Sequence, residues 1–207
     1  MASDFVLYEG LLWEPSGGYF LLDRHLQRLE GSAHHFGYAV DMDDVRLQLL
    51  EFAAGLADRP RKVRLEASAN GDIVLGSEDV KPSTPVRIAL AREPVDSGDV
   101  FLRHKTSRRE VYEQALALHP DAQDVLLWNE RRELTESCTA NIVVEIEGRR
   151  LTPALSSGLL AGTYRALLLE QGEIEERVLP LESLDHASRV FLINSVRRLW
   201  EGRRASR

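Results

Sequence analysis

The chain has 207 residues, enough for one large domain or two small ones, and its 43% hydrophobic and 29% charged residues are the composition of a soluble globular protein. A formal charge of −7 argues against a broad nucleic-acid surface and leaves room for a local basic pocket only. One cysteine, Cys138, excludes an internal disulfide. No leader with a basic stretch and an apolar run is seen, nor any apolar run of membrane-spanning length, so the expectation is a cytoplasmic protein.

In chain order, Phe5 to Trp13 reads as a strand, Glu14 to Gly18 as a Pro- and Gly-containing turn, and Tyr19 to Leu22 as a second strand of a hairpin. Asp23 is placed to cap a helix carrying His25, Leu26, Leu29, Ala33 and Phe36, with Arg28 on it. Asp41 to Leu56 has the spacing of another amphipathic helix. Two strand-like runs, Lys62 to Ala67 and Asp72 to Leu75, flank Asn70-Gly71, a strong hairpin signal. Ser77 to Pro85 is polar, holds Pro82 and Pro85, and is the expected linker. Beyond it, strands are expected at Val86–Ala91, Asp124–Trp128, Glu133–Glu136, Asn141–Ile146, Arg149–Pro153 and Val190–Ile193. Helices are expected at Arg108–Leu118 and from Gly162 through Leu169. Strands alternating with helices, plus hairpins, predict a mixed α/β (α+β) fold in two domains, 1–80 and 85–207.

Lysine is scarce: only Lys62, Lys81 and Lys105 occur. Lys105 is flanked by Arg103, His104, Arg108 and Arg109, and neighbouring positive charge lowers a lysine pKa. Such a lysine can attack a carbonyl and hold it as a Schiff base. The same cluster also suits a phosphate at the start of the following helix. Gly162, opening a helix with Thr163 and Tyr164, reads either as an anion site or as a plain helix start. Leu134 to Ile142, with Glu136 and Asn141 around small residues, can approach a flat ligand or form a polar crossover. Neither a Gly-x-Ser-x-Gly elbow nor a dinucleotide glycine pattern is present, and the histidines lack metal-ligand spacing, so no metal is expected.

Five stretches in order carry a resemblance over nearly the whole chain. They are Leu22-Asp-Arg-His-Leu-Gln-Arg28-Leu, His104-Lys105-Thr106, Leu134-Thr-Glu136-Ser-Cys-Thr-Ala-Asn141-Ile, Gly158-Leu-Leu-Ala-Gly162-Thr-Tyr-Arg165 and Phe191-Leu-Ile-Asn-Ser195. Together they resemble the fold-type IV pyridoxal-phosphate enzymes, which include the branched-chain and D-amino acid aminotransferases and 4-amino-4-deoxychorismate lyase. The resemblance is nearest to the lyase, through Leu12 to Leu26, His104-Lys-Thr-x-x-Arg109 and Asn194-Ser-x-Arg197. It implies a smaller N-terminal domain with an arginine helix that grips the phosphate, and a C-terminal domain carrying the Schiff-base lysine. By this resemblance Lys105 joins pyridoxal 5'-phosphate and moves the proton. Arg28, Thr163, Tyr164, Gly162 and Ser195 bind its phosphate, and Glu136, with Asn141 nearby, faces the ring nitrogen. Arg103, Arg109 and Arg197 are candidates for the carboxylates of a small anionic substrate. The implied reaction gives para-aminobenzoate and pyruvate; the alternative is a class IV aminotransferase acting on branched-chain or D-amino acids. Glu9-Gly10 is similar to the aminotransferase pattern, the lyases having Thr at the position of Gly10. A homodimer is also implied, and Phe5, Tyr8 and Trp13 are expected to be exposed for it.

Overall fold

The computed structural model describes residues 5–56 and 58–204, which fall into two compact units. Among the described residues, the first runs to Lys81 and also takes in His104–Arg108 and Ser195–Arg197; the second comprises Pro82–Arg103, Arg109–Asn194 and Arg198–Arg204.

The first unit is a four-stranded sheet with two helices. Its strands are β1 (Leu7–Glu14), β2 (Gly18–Tyr19), β3 (Arg61–Ala67) and β4 (Ile73–Asp79), in the order β2-β1-β3-β4, with α1 (Leu22–Phe36) and α2 (Met42–Ala54). Alternation along β1 sends Leu7 and Leu11 to one face, where they join Leu26, Leu29 and Ala33 of α1, Val45 and Leu49 of α2 and Val63 and Leu65 of β3. α2 starts where the sequence places it: the Asp41 side chain accepts from the amides of Asp43 (2.9 Å) and Asp44 (3.2 Å).

Three local expectations are corrected here. α1 is not capped by Asp23. It starts at Leu22, Leu21 sits in the left-handed region at φ 58°, and the amide of His25 closes the first turn on the Leu21 carbonyl. Asp23 lies inside the first turn and takes a hydrogen bond from Arg46 (2.6 Å). The expected linker loses its first residues to β4, because Arg61, Lys62 and Val63 pair with Asp79, Glu78 and Ser77. Tyr8 is buried, and Phe5 and Trp13 pack against the first unit's core, so these rings are not an exposed surface.

The Lys105 segment, expected in the second domain, belongs to the first unit. The amide of Tyr8 donates to the Lys105 carbonyl (3.0 Å) and the amide of Ser107 to the Val6 carbonyl (2.9 Å), with Leu7 opposite Thr106. Backbone pairing to the edge of β1 therefore outweighs sequence proximity. β2 uses the same edge further along, at Trp13 and Glu14.

The second unit holds β5 (Val86–Leu90), β6 (Asp124–Trp128), β7 (Leu134–Ser137), β8 (Asn141–Ile146), β9 (Arg149–Pro153), β10 (Glu175–Arg177), β11 (Arg189–Asn194) and β12 (Arg198–Arg204). They form one eight-stranded sheet, order β10-β9-β8-β11-β12-β5-β6-β7, with α3 (Glu110–Ala117), α4 (Thr163–Glu170) and the short α5 (Ser183–His186). β8 and β11 carry apolar runs, Ile142–Val144 and Val190–Ile193. Ile142, Val144, Val190 and Leu192 join one core cluster, and Val143, Phe191 and Ile193 another, as strands covered on both faces require. β12 and β10 are not expected from the sequence. β12 carries Arg198, Arg203 and Arg204, yet Trp200 is buried and Gly202 packs so tightly that a Cβ would lie 2.7 Å from Leu192 and 2.8 Å from Ile88. Among the described residues no helix is long and apolar enough to cross a membrane.

Candidate active site

In the first unit, Lys105 is held by its backbone pairing to β1, and its Nζ lies 4.6 Å from the centre of the Tyr8 ring. Arg64 stacks on Tyr8 at 4.7 Å. On the helix-facing side of β1 sits a buried ionic group that sequence reasoning did not assign. Glu9 is 2% exposed. Its Oε1 accepts from Arg28 Nε (2.8 Å), and its Oε2 from Arg28 Nη2 (2.6 Å) and His25 Nδ1 (2.8 Å). This is a bidentate fork on a carboxylate, with an imidazole at one oxygen.

Burial alone would raise the Glu9 pKa, but Arg28 and His25 more than offset it and hold the carboxyl well below the ordinary carboxylate range. For His25 burial dominates. Its pKa is lowered despite Glu9, so the ring stays neutral and Nδ1 carries the hydrogen that an ionised carboxylate accepts. Glu9 is thus accounted for as the partner of Arg28, whichever reaction the chain performs. It was legible as the one acid in an apolar strand, on the same face as Leu7 and Leu11, where a buried charge requires a partner.

The basic side chains near Lys105 in sequence each have their own engagement. His104 Nδ1 is 2.9 Å from Ser32 Oγ, and its ring stacks on His35 (4.5 Å). Arg108 lies 5.7 Å from the Phe5 ring centre, and Arg103 donates to the Ser97 carbonyl (3.1 Å). Ser195 Oγ donates to the Gly10 carbonyl (3.4 Å), and Ser195 and Arg197 belong to the first unit with Lys105 and Arg28.

In the second unit, β7, β8 and the start of α4 bring Glu136, Asn141, Gly162 and Thr163 together. Glu136 is 5% exposed. Its Oε1 accepts from Tyr112 Oη (2.8 Å) and its Oε2 from Asn141 Nδ2 (3.3 Å). The same Asn141 amide donates to the Leu160 carbonyl (2.9 Å). Its Oδ1 lies where Gly162 leaves room, since a Cβ there would come within 1.9 Å. Only glycine is compatible with that approach. Thr163 and Tyr164 open α4, with Gly162 as its N-cap.

Arg109, a substrate candidate by sequence, is tied to this group: Nη2 donates to the Cys138 carbonyl (2.6 Å), and the guanidinium stacks on Tyr112 at 4.5 Å. Tyr112 itself was missed. Nothing local marks it beyond its place one helical turn after Arg109. Behind this loop Asp124 is buried and accepts from Ser137 (3.1 Å), Thr139 and the Val125 amide (2.8 Å), which fixes the turn between β7 and β8. Among the described residues no cluster of three or more His, Cys, Asp or Glu is arranged to hold a metal.

Comparison with known proteins agrees over the full length. The chain matches the family described as amino-transferase class IV across residues 6–205. It is 32% identical to a Schizosaccharomyces pombe protein named "Putative aminodeoxychorismate lyase", over 95% of this chain and 88% of that one. A crystal structure titled "Putative amino-acid aminotransferase" from Mesorhizobium loti superposes with a TM-score of 0.90 at 36% identity, covering 98% of this chain and all of that one. A 4-amino-4-deoxychorismate lyase from Pseudomonas aeruginosa superposes at 0.80 with 25% identity, covering 96% of this chain and 82% of that one. A buried carboxylate on a glycine-backed loop and a lysine fixed by strand pairing thus accompany a family match over nearly every residue, and the chain belongs to the class IV aminotransferases, a family of pyridoxal-phosphate-dependent enzymes.

Proposed function

We propose that the chain is a 4-amino-4-deoxychorismate lyase that releases para-aminobenzoate and pyruvate. The observation that carries this is the 32% identity, over 95% of the chain, to a relative bearing the lyase name. The residue types in each unit suit pyridoxal phosphate: in the first, a strand-fixed lysine for its aldehyde and a guanidinium for its phosphate; in the second, a buried, hydrogen-bonded carboxylate for its ring nitrogen. When bound, the cofactor supplies an electron sink.

The chain's own residues do the rest. Lys105 Nζ takes the proton from the substrate carbon that bears nitrogen, and returns a proton to the departing three-carbon fragment. Arg28 and Ser195 of the first unit, and the amides of Thr163 and Tyr164 of the second, are the residues assigned to the phosphate. Glu136 keeps the ring nitrogen's proton in place. Arg103 and Arg197 remain candidates for the substrate carboxylates, beside Arg109.

An aminotransferase is the second reading, favoured by the 36% identical Mesorhizobium loti structure and by Gly10. Glu9 does not discriminate between the two, because it serves Arg28.

The test supplies purified protein with pyridoxal phosphate and freshly made 4-amino-4-deoxychorismate and follows both products. Equal release of para-aminobenzoate and pyruvate, abolished by Lys105→Ala, is expected. A coloured protein that releases neither, but exchanges amino groups between amino acids and keto acids, establishes the second reading instead.

A further inference from the structure

We infer that Tyr112 is a positioning residue for the reaction: its phenol, backed by Arg109, holds the Glu136 carboxylate in the orientation in which it serves the cofactor ring. This rests on the assignment of Glu136 made under the proposed function.

The argument is geometric. Asn141 and Tyr112 hold Glu136 unequally. The Asn141 amide reaches Oε2 at 3.3 Å and is shared with the Leu160 carbonyl at 2.9 Å, so its better bond goes elsewhere. Tyr112 Oη reaches Oε1 at 2.8 Å, the shorter of the two contacts, and its residue is buried. A neutral donor on a buried carboxylate makes a charge-assisted hydrogen bond, stronger than one between neutral groups.

Tyr112 is itself fixed. It lies on α3 three residues after Arg109, the N-cap of that helix, and the two side chains meet. The Arg109 guanidinium covers the Tyr112 ring at 4.5 Å while donating to the carbonyl of Cys138, two residues beyond Glu136. Arg109 therefore ties the phenol and the Glu136 strand to one group. A purely packing role at this position would be met by phenylalanine; the hydroxyl's donation to Glu136 is what the packing does not require.

The experiment titrates four cofactor-depleted proteins with pyridoxal phosphate: native, Tyr112→Phe, Glu136→Gln and the double variant. It reads the dissociation constant and the position and intensity of the visible band, beside kcat and KM. Tyr112→Phe is expected to fold, to bind the cofactor about tenfold more weakly, the scale of one buried hydrogen bond to a charged acceptor, and to show an altered band. It should lower kcat with KM nearly unchanged. In the Glu136→Gln background the same change should cost less than about threefold, because the orientation it maintains no longer matters.

Unchanged affinity and band in Tyr112→Phe overturns the inference. So does a full tenfold loss that persists in the Gln background, which marks a merely structural role. Should Tyr112→Phe not fold, Arg109→Met is read the same way, with a loss in the same direction supporting the inference and native values overturning it. A native protein that takes up no pyridoxal phosphate sinks this inference and the proposed function together. A native protein that colours normally beside an unaltered Tyr112→Phe sinks this inference alone.

Discussion

Replacing Glu9 by Gln removes one charge and almost no volume from the middle of the first unit. The carboxylate accepts three hydrogen bonds between 2.6 and 2.8 Å, two of them on Oε2. An amide can keep the oxygen toward Arg28 Nε, but it then turns an N–H group toward the donors Arg28 Nη2 and His25 Nδ1. Each charge-assisted bond lost is worth about 1.5–3 kcal/mol, and breaking a buried pair costs about 3–5 kcal/mol. The Arg28 side chain retains 14% exposure and recovers some hydration, which favours the low end, about 3 kcal/mol. For a chain of this size that lowers Tm by roughly 6–12 °C. The assay is a thermal melt by far-UV circular dichroism at neutral pH, repeated down to pH 3. Glu9 and His25 both have lowered pKa values in the folded chain, so the unfolded chain binds their protons more tightly. The stabilisation is whole at higher pH. The His25 share is lost as pH falls below its ordinary 6.5 and the Glu9 share as pH falls below its ordinary 4.5. Glu9→Gln should lack the Glu9 limb of that decline. A fall in Tm of less than roughly 3 °C would refute the reasoning, as would an unchanged acid limb in the variant.

Gly162→Ala places a Cβ 1.9 Å from Asn141 Oδ1, so Asn141 must leave Glu136; titration should show weakened uptake of pyridoxal phosphate, and native affinity would count against the role of this contact. Gly202→Ala drives a methyl group to 2.7 Å from Leu192 and 2.8 Å from Ile88, and urea melts should show about 1–3 kcal/mol of overpacking loss. The Cys138 thiol is pushed up to about 12, first by burial and then by the nearby Asp124 charge, so it should ignore a thiol reagent at pH 8 in the native state and react fully in denaturant.

Elements set by one local signal were legible in the sequence. The apolar runs of β6 and β8 and the amphipathic spacing of α2 are written in adjacent residues, and these elements appear within a residue or two of where they were expected. Elements set by distant pairing were not. β12 carries Arg198, Arg203 and Arg204 around one buried tryptophan, and it forms because β11 and β5 need a strand between them. The start of α1 depends on a leucine in the left-handed region, which no cap rule foresees. At the site, Lys105 stands out through its basic neighbours, whereas Arg28, Glu136, Asn141 and Gly162 were named through the resemblance their stretches carry. Glu9 carries a signal, a lone acid in an apolar run, but its partner Arg28 lies 19 residues away, and Tyr112 has its meaning only through Glu136, 24 residues away.

The place of β12 also bears on how the second unit is made. It is the latest described strand in sequence, yet it joins the half-sheet β10-β9-β8-β11 to the half-sheet β5-β6-β7. A chain emerging from the ribosome can assemble each half as its residues appear, but the seam stays open until Arg198–Arg204 arrives. Until then, β11 and β5 each present a row of unpaired amides and carbonyls flanked by apolar side chains, a template for another chain. The stitch that closes the sheet is therefore made after every other described strand, and a stalled chain lacking Arg198–Arg204 is exposed to aggregation at that seam.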